Sequence, residues 1–114
     1  MTYSAFDVVT VPFPFTDSNK TKRRPALVLS SKNHFNDKIK HSVMAMITSA
    51  KNGPWPLDVA IHDLHKTGLS AQSVVRMKLF TLDHRFIFSK IGTLSDKDKK
   101  EVRASLTQAL GDIF

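Results

Sequence analysis

The spacing of apolar residues changes once along this chain, and that change constrains the fold more than any other feature. From Phe6 to Ile91 the apolar residues fall in short runs or alternate with polar ones. After Ser95 they recur at three- and four-residue intervals, as Val102, Leu106, Leu110 and Ile113. A period of two belongs to a half-buried strand and a period near 3.6 to an amphipathic helix. The pattern predicts an α+β protein, mainly β, with antiparallel strands and one C-terminal helix packed on the sheet. Many short strands joined by loops suit a small barrel, because curling the sheet removes exposed edges.

Residues 6–15 read as the first strand, with Val8, Val9, Thr10 and Val11 followed by Phe13 and Phe15. Pro12 and Pro14 lack an N–H, so this strand must end, bulge or lie at an edge there. Residues 16–24 form a polar loop, and residues 26–29 a short strand buried on both faces. Residues 31–40 are polar and irregular, with room for one helical turn. Residues 41–49 read as a third strand, and Asn52-Gly53-Pro54 is turn chemistry. Residues 57–61 alternate cleanly, which places Leu57, Val59 and Ile61 inward. Residues 73–77 and 80–82 read as separate strand pieces, and residues 86–91 add a short one. Ser95 followed by Asp98 resembles a capping box, and the helix closes near Gly111.

A chain of 114 residues is one domain on size grounds, spanning residues 1–114. Its 41% apolar content, spread along the whole length, excludes compositional disorder. The absence of cysteine excludes disulfides, thiolate metal sites and Cys nucleophiles together. The longest clean apolar run is residues 43–47, far short of the ~20 residues a membrane span needs. The start has neither a basic n-region nor an apolar h-region, so a cytoplasmic location is expected.

Seventeen Lys and Arg against ten Asp and Glu give a net charge of +7, which favours a polyanionic partner. Lys20, Lys22, Arg23 and Arg24 form a cluster with no acid inside it, and read either as a phosphate-contacting element or as a solvated loop. Lys97, Lys99, Lys100 and Arg103 are interleaved with Asp96, Asp98 and Glu101, the pattern of a solvated helix face.

Residues 7–17, Asp-Val-Val-Thr-Val-Pro-Phe-Pro-Phe-Thr-Asp, and residues 23–30, Arg-Arg-Pro-Ala-Leu-Val-Leu-Ser, resemble the MazF/PemK toxins of bacterial toxin–antitoxin systems. Met46-Ile47-Thr48-Ser49, Ser73-Val74-Val75-Arg76, Thr81-Leu82-Asp83 and Lys90-Ile91-Gly92-Thr93-Leu94 agree with it in the same order. The resemblance implies an SH3-like small barrel of antiparallel strands with a terminal helix, a homodimer, and metal-independent cleavage of single-stranded RNA with no cofactor. It also implies a cognate acidic antitoxin that occupies the RNA groove, DNA binding together with that antitoxin, and no membrane association.

RNA carries its own nucleophile, a 2′-hydroxyl that attacks the neighbouring phosphate and leaves a 2′,3′-cyclic phosphate. Arg suits the phosphoryl charge because it is always protonated and bidentate, and a Thr hydroxyl can donate to the same oxygens. By resemblance Arg24, the Arg before the proline, is a catalytic Arg and Thr48 its partner. The same resemblance makes Arg76 a phosphate-acting Arg; from its strand alone it could equally be the polar face of a half-buried element. Lys20, Lys22, Arg23, Ser49, Lys78 and Phe80 complete the expected RNA-binding set. Where one branch of the family has a proton-transferring carboxylate two residues after the Arg, this chain has Lys78.

Of the five histidines none is singled out as the base: His34 follows the Arg24 strand, His41 starts a strand and His84 sits in a turn, the last two reading as surface residues, and His62 and His65 lie in a loop after a strand. His62 and His65 have one-turn spacing that admits a metal reading, but no third ligand is evident in the sequence, and no metal is expected. Trp55 and Phe80 are flanked by polar or turn residues and can stack unpaired bases, while Trp55-Pro56 can alternatively plug the barrel. Two other functions compete. A homologue that has lost cleavage would bind RNA or antitoxin only, as Lys78 suggests. A gyrase poison on the same fold carries a Trp close to its C-terminus, whereas the single Trp here is Trp55.

Overall fold

The computed structural model describes residues 2–13 and 22–113. Pro14 and Phe15 of the expected first strand, and residues 16–21 of the expected polar loop with Lys20 among them, lie outside the described residues. Six strands form one antiparallel sheet: β1 (Asp7–Phe13), β2 (Lys22–Val28), β3 (His41–Ser49), β4 (Val59–Ala60), β5 (Ser73–Asp83) and β6 (Ser89–Thr93). Their order across the sheet is β4-β5-β3-β2-β1-β6. Three α-helices are present among the described residues, α1 (Asp37–Ile39), α2 (Leu64–Thr67) and α3 (Asp96–Leu110), with further helical turns at Lys32–Asn36, His84–Phe86 and Gly111–Ile113. The architecture is a curled half-barrel with a C-terminal helix, as the apolar periods predict. None of the helices is long and apolar enough to cross a membrane among the described residues.

The central strands are apolar on both faces, and each face feeds a separate core. Val8, Leu27, Ala45, Ile47, Val75 and Val102 meet on one side, and Tyr3, Val9, Val11, Ala26, Val28, Met44 and Leu82 on the other. This explains why residues 26–28 form a continuous apolar run rather than an alternation. Helix α3 covers the first face through Val102, which is fully buried, with Leu106 against the same cluster. Burying one such side chain stabilises by about 1.5–3 kcal/mol. The expected stripe does not stay covered: Leu110 is 37% exposed and Ile113 is 73% exposed. Contact with the core stops after Leu106, so the periodicity continues where the packing surface does not.

Both prolines in the first two strands stand where a ladder stops. β6 pairs with β1 only as far as Thr10, so Pro12 lies in the stretch of β1 paired with β2 alone. β3 pairs with β2 only over Ala26–Val28, so Pro25 lies just beyond that ladder. A ring nitrogen has no hydrogen to donate, so the ladder on one side of each strand ends near it while the β1–β2 ladder runs on past both. Three strand expectations need correction. Lys22, Arg23 and Arg24 belong to β2 rather than to a loop, because β1 supplies partners for them down to Phe13 opposite Lys22. Residues 73–83 form one strand instead of two pieces. A bulge hides this in the sequence: Ala45 pairs with Leu79 and the next residue, Met46, with Arg76. Met77 and Lys78 are therefore extra on β5 and break the alternation. The strand expected over residues 57–61 shrinks to Val59–Ala60, since Leu57 takes a left-handed φ of 67° that no strand accommodates.

Ser95 caps α3 by accepting from the Asp98 amide at 3.2 Å. The reciprocal half of the expected capping box is replaced by a longer reach. The Asp98 carboxylate is fully buried and accepts from the backbone amides of His62 and Asp63 at 3.0–3.1 Å, tying the segment before α2 to the helix. Asp98→Ala leaves the His62 and Asp63 amides without their acceptor and removes hydrogen bonds to a buried carboxylate, so it is expected to cost about 3 kcal/mol. Urea unfolding measures this as a lower midpoint at unchanged slope. A loss under about 1 kcal/mol would contradict the tie.

Candidate active site

The parting of β2 from β3 opens a pocket between them. Its volume is about 210 Å³, and it is lined by Arg24, Met46, Ile47, Thr48, Asn52, Trp55, Arg76 and Lys78. The elements explain the set. Arg24 lies on the half of β2 that has no β3 partner, opposite Val11. Thr48 is near the end of β3, Arg76 stands at the start of the β5 bulge, and Lys78 is within the bulge. Asn52 and Trp55 come from the connection between β3 and β4. Three side chains expected to act together, Arg24, Thr48 and Arg76, thus border one cavity, with Lys78 beside them.

The polar groups are oriented by specific partners. Asn52 donates from Nδ2 to Thr48 Oγ1 at 2.6 Å. That bond fills an acceptor site on the hydroxyl and leaves its proton available to donate. Arg76 is nearly buried and makes three bonds: Nε to Asp58 Oδ1 at 3.2 Å, a terminal nitrogen to Asp58 Oδ2 at 3.0 Å, and the same nitrogen to the Gly53 carbonyl at 2.7 Å. Asp58 also accepts from the Trp55 amide at 2.9 Å, and the Arg76 guanidinium carbon lies 5.1 Å from the Trp55 ring centroid. Arg24 is exposed.

Asp58 is the residue that sequence reasoning missed. Its signal was present, since the alternation of residues 57–61 put Asp58 on the face opposite Val59 and Ile61. What the sequence lacked was the long-range fact that β4 pairs with β5 and so brings that face to Arg76. Burial is the largest influence on the Asp58 carboxyl and pushes its pKa up. The Arg76 hydrogen bonds, the Trp55 amide and the Arg76 charge together outweigh it and hold the group below the ordinary 3.8.

The remaining expected residues are dispersed. Lys22 and Arg23 are exposed on β2, and the Arg23 guanidinium lies 4.3 Å from the Phe88 ring centroid. Ser49 is exposed at the end of β3 and accepts from the Lys51 amide at 3.2 Å. Phe80 is half-buried against the second core cluster, so it is not an exposed ring, and it is outside the pocket lining. No histidine lines the pocket among the described residues. His84, expected at the surface, is half-buried: its Nε2 lies 2.7 Å from Ser42 Oγ, its ring meets Tyr3, and burial holds its pKa below 6.5. The side chains that approach His62 are Asp98 and Glu101 rather than His65, with His62 Nε2 3.4 Å from Glu101 Oε2. Both Asp98 oxygens already accept backbone amides there.

The Asp58–Arg76 pair makes stability depend on pH with a definite sign. A carboxyl with a depressed folded pKa stabilises above its ordinary value and stops doing so as pH falls through the folded one. Asp58→Asn is therefore expected to lower stability near pH 7 by about 2 kcal/mol. The gap from the parent protein should close on acidification below 3.8. Denaturant unfolding at several pH values reads this, and a gap that stays constant into strong acid would contradict it.

The chain was also compared with known proteins. The family of PemK-like, MazF-like toxins of type II toxin–antitoxin systems matches residues 4–110. Among solved structures, a MazE–MazF complex from Deinococcus radiodurans is 26% identical, with a TM-score of 0.73 and 97% of each chain covered. MazF from the same organism is also 26% identical, with a TM-score of 0.74, covering 97% of this chain and 98% of that one. A mycobacterial endoribonuclease shares the fold at 17% identity and a TM-score of 0.76, covering 100% of this chain and 96% of the other. No match is found among curated protein sequences. With nearly its whole length matched, this chain belongs to the PemK-like, MazF-like toxin family of type II toxin–antitoxin systems.

Proposed function

We propose that this toxin is an endoribonuclease that cuts single-stranded RNA, mRNA included, without a divalent ion. The carrying observation is the convergence of Arg24, Thr48 and Arg76 on one cavity where β2 and β3 part. In the reaction the 2′-oxygen bonds to phosphorus as the bond to the 5′-oxygen breaks. The 2′-hydroxyl loses its proton, the departing 5′-oxygen gains one, and the products are a 2′,3′-cyclic phosphate and a 5′-hydroxyl. Arg24 neutralises the phosphoryl oxygens and Thr48 donates its hydroxyl proton to them. Arg76 acts on the phosphate from the other side, with its orientation set by Asp58. Each positioned donor is worth on the order of 10²–10³ in rate.

The pocket lining holds no carboxylate or imidazole among the described residues, and the nearby Asp58 is engaged by Arg76. Charge stabilisation therefore carries most of the acceleration in this reading, and Lys78 contributes positive charge rather than the carboxylate seen in one branch of the family. The +7 net charge suits RNA and an acidic antitoxin segment competing for the same groove. The wider proposal is one PemK-like domain over residues 1–114, acting as a cytoplasmic homodimer that binds DNA only together with its antitoxin. A second reading has one specific observation in its favour. Asp58 and the Gly53 carbonyl take up donors of Arg76, as they would in a homologue that retains RNA binding but has lost cleavage.

Incubating the purified protein with unstructured RNA in EDTA is expected to give fragments ending in 2′,3′-cyclic phosphate. Arg24→Ala should slow this by about 100-fold or more with unfolding unchanged. An unchanged rate would reject the Arg24 role. Steeply salt-dependent RNA binding with no product after long incubation would establish the second reading instead.

A further inference from the structure

Trp55 is the single Trp of the chain, and 44% of it is left exposed on the pocket wall. Other large apolar side chains are exposed too, among them Ile39, Phe86, Phe88 and Ile113, but none of these lines the pocket. The indole is held rather than loose. Pro54 and Pro56 flank it with fixed φ. Its amide donates to Asp58 Oδ2, and its carbonyl accepts from the Asp58 amide at 3.3 Å. Leu57, between them, sits in left-handed backbone that a bulky residue keeps only where its surroundings over-determine it. The same carboxylate that fixes this turn fixes Arg76, and Arg76 lies against the indole.

We propose that Trp55 is the stacking platform for an unpaired RNA base next to the scissile phosphate. The inference rests on the RNA-cleavage reading of this pocket and names what holds the base. A flat exposed ring within a cavity that also carries Arg24, Thr48 and Arg76 matches a nucleotide in both its parts: the ring takes the base, the cations and hydroxyl take the phosphate. An acidic peptide would use the cations and leave the ring without a purpose. Prior fixation of the turn means little side-chain freedom is lost on binding, which favours a rigid aromatic here over a mobile one. Phe80, the other aromatic singled out from the sequence, packs against the second core cluster. Stacking has no hydrogen-bond code, so Trp55 would tolerate different bases and favour unpaired over paired ones.

The probe is a fully 2′-O-methylated, randomised RNA 12-mer, which cannot supply the attacking hydroxyl. With one Trp in the chain, intrinsic emission reports on Trp55 alone. Emission should be quenched saturably by the single strand, and not by its duplex or by inorganic polyphosphate. Anisotropy of a labelled 12-mer should show Trp55→Ala binding about 10- to 100-fold more weakly and Trp55→Phe retaining most of the affinity. Unmoved emission at saturation, equal quenching by polyphosphate, or Trp55→Ala binding as tightly as the parent would each overturn the platform. Should Trp55→Ala fail to fold, the emission of the parent protein and the Trp55→Phe affinity still decide. A parent protein that binds with quenching but leaves unmethylated RNA intact would sink the cleavage reading and keep the platform. One that cuts RNA with emission unmoved at saturation would do the reverse.

Discussion

β2 and β3 are hydrogen-bonded only over Ala26–Val28, and Pro25, with no N–H, stands where they part. Two cores hold that short ladder in register. Leu27 and Ala45 are locked into one, Ala26, Val28 and Met44 into the other. A slip by one residue would exchange the two sets, so the position of the split is fixed. On the far side of β3, the bulge of Met77 and Lys78 re-aims β5 at the same level of the sheet. A cavity lies where an intact ladder would otherwise have closed the sheet. Arg24 reaches it from one bank, Thr48 and Arg76 from the other.

The two guanidinium groups at this cavity are in different electrostatic states. Arg24 is exposed, whereas the Arg76 charge is offset by a bidentate carboxylate at 3.0–3.2 Å. A buried ion pair of this kind contributes little net stability, because desolvation opposes the attraction. Its effect is directional: the planar fork is held still, and the turn bearing Trp55 is held with it. In the proposed reaction, Arg24 with Thr48 would supply the larger share of the field on a phosphate, and Arg76 geometry as well as charge.

Much of this was legible in the residues. The change of apolar period placed the sheet and the helix, and the polar start of residues 23–30 followed by an apolar run placed Arg24 at the border of core and solvent. Local patterning failed where a distant partner decides the outcome. Lys22–Arg24 looked like loop because nothing nearby shows that β1 pairs with them. β5 looked like two pieces because a bulge breaks period two. Asp98 looked like the third member of a capping box, but its carboxylate answers amides more than thirty positions earlier. Asp58 was missed for the same reason, since its significance depends on the β4–β5 pairing that delivers it to Arg76. Phe80 was misread through its polar neighbours, when the second core, invisible in local sequence, covers it.

The central claim is that the gap between β2 and β3 gathers Arg24, Thr48 and Arg76 around one phosphodiester. A crystal structure with an uncleavable single-stranded oligonucleotide tests it most directly. The account predicts a phosphate within hydrogen-bond distance of the Arg24 guanidinium and Thr48 Oγ1, with Asp58 still holding Arg76. An oligonucleotide bound on another face, with this cavity left to solvent, would contradict it.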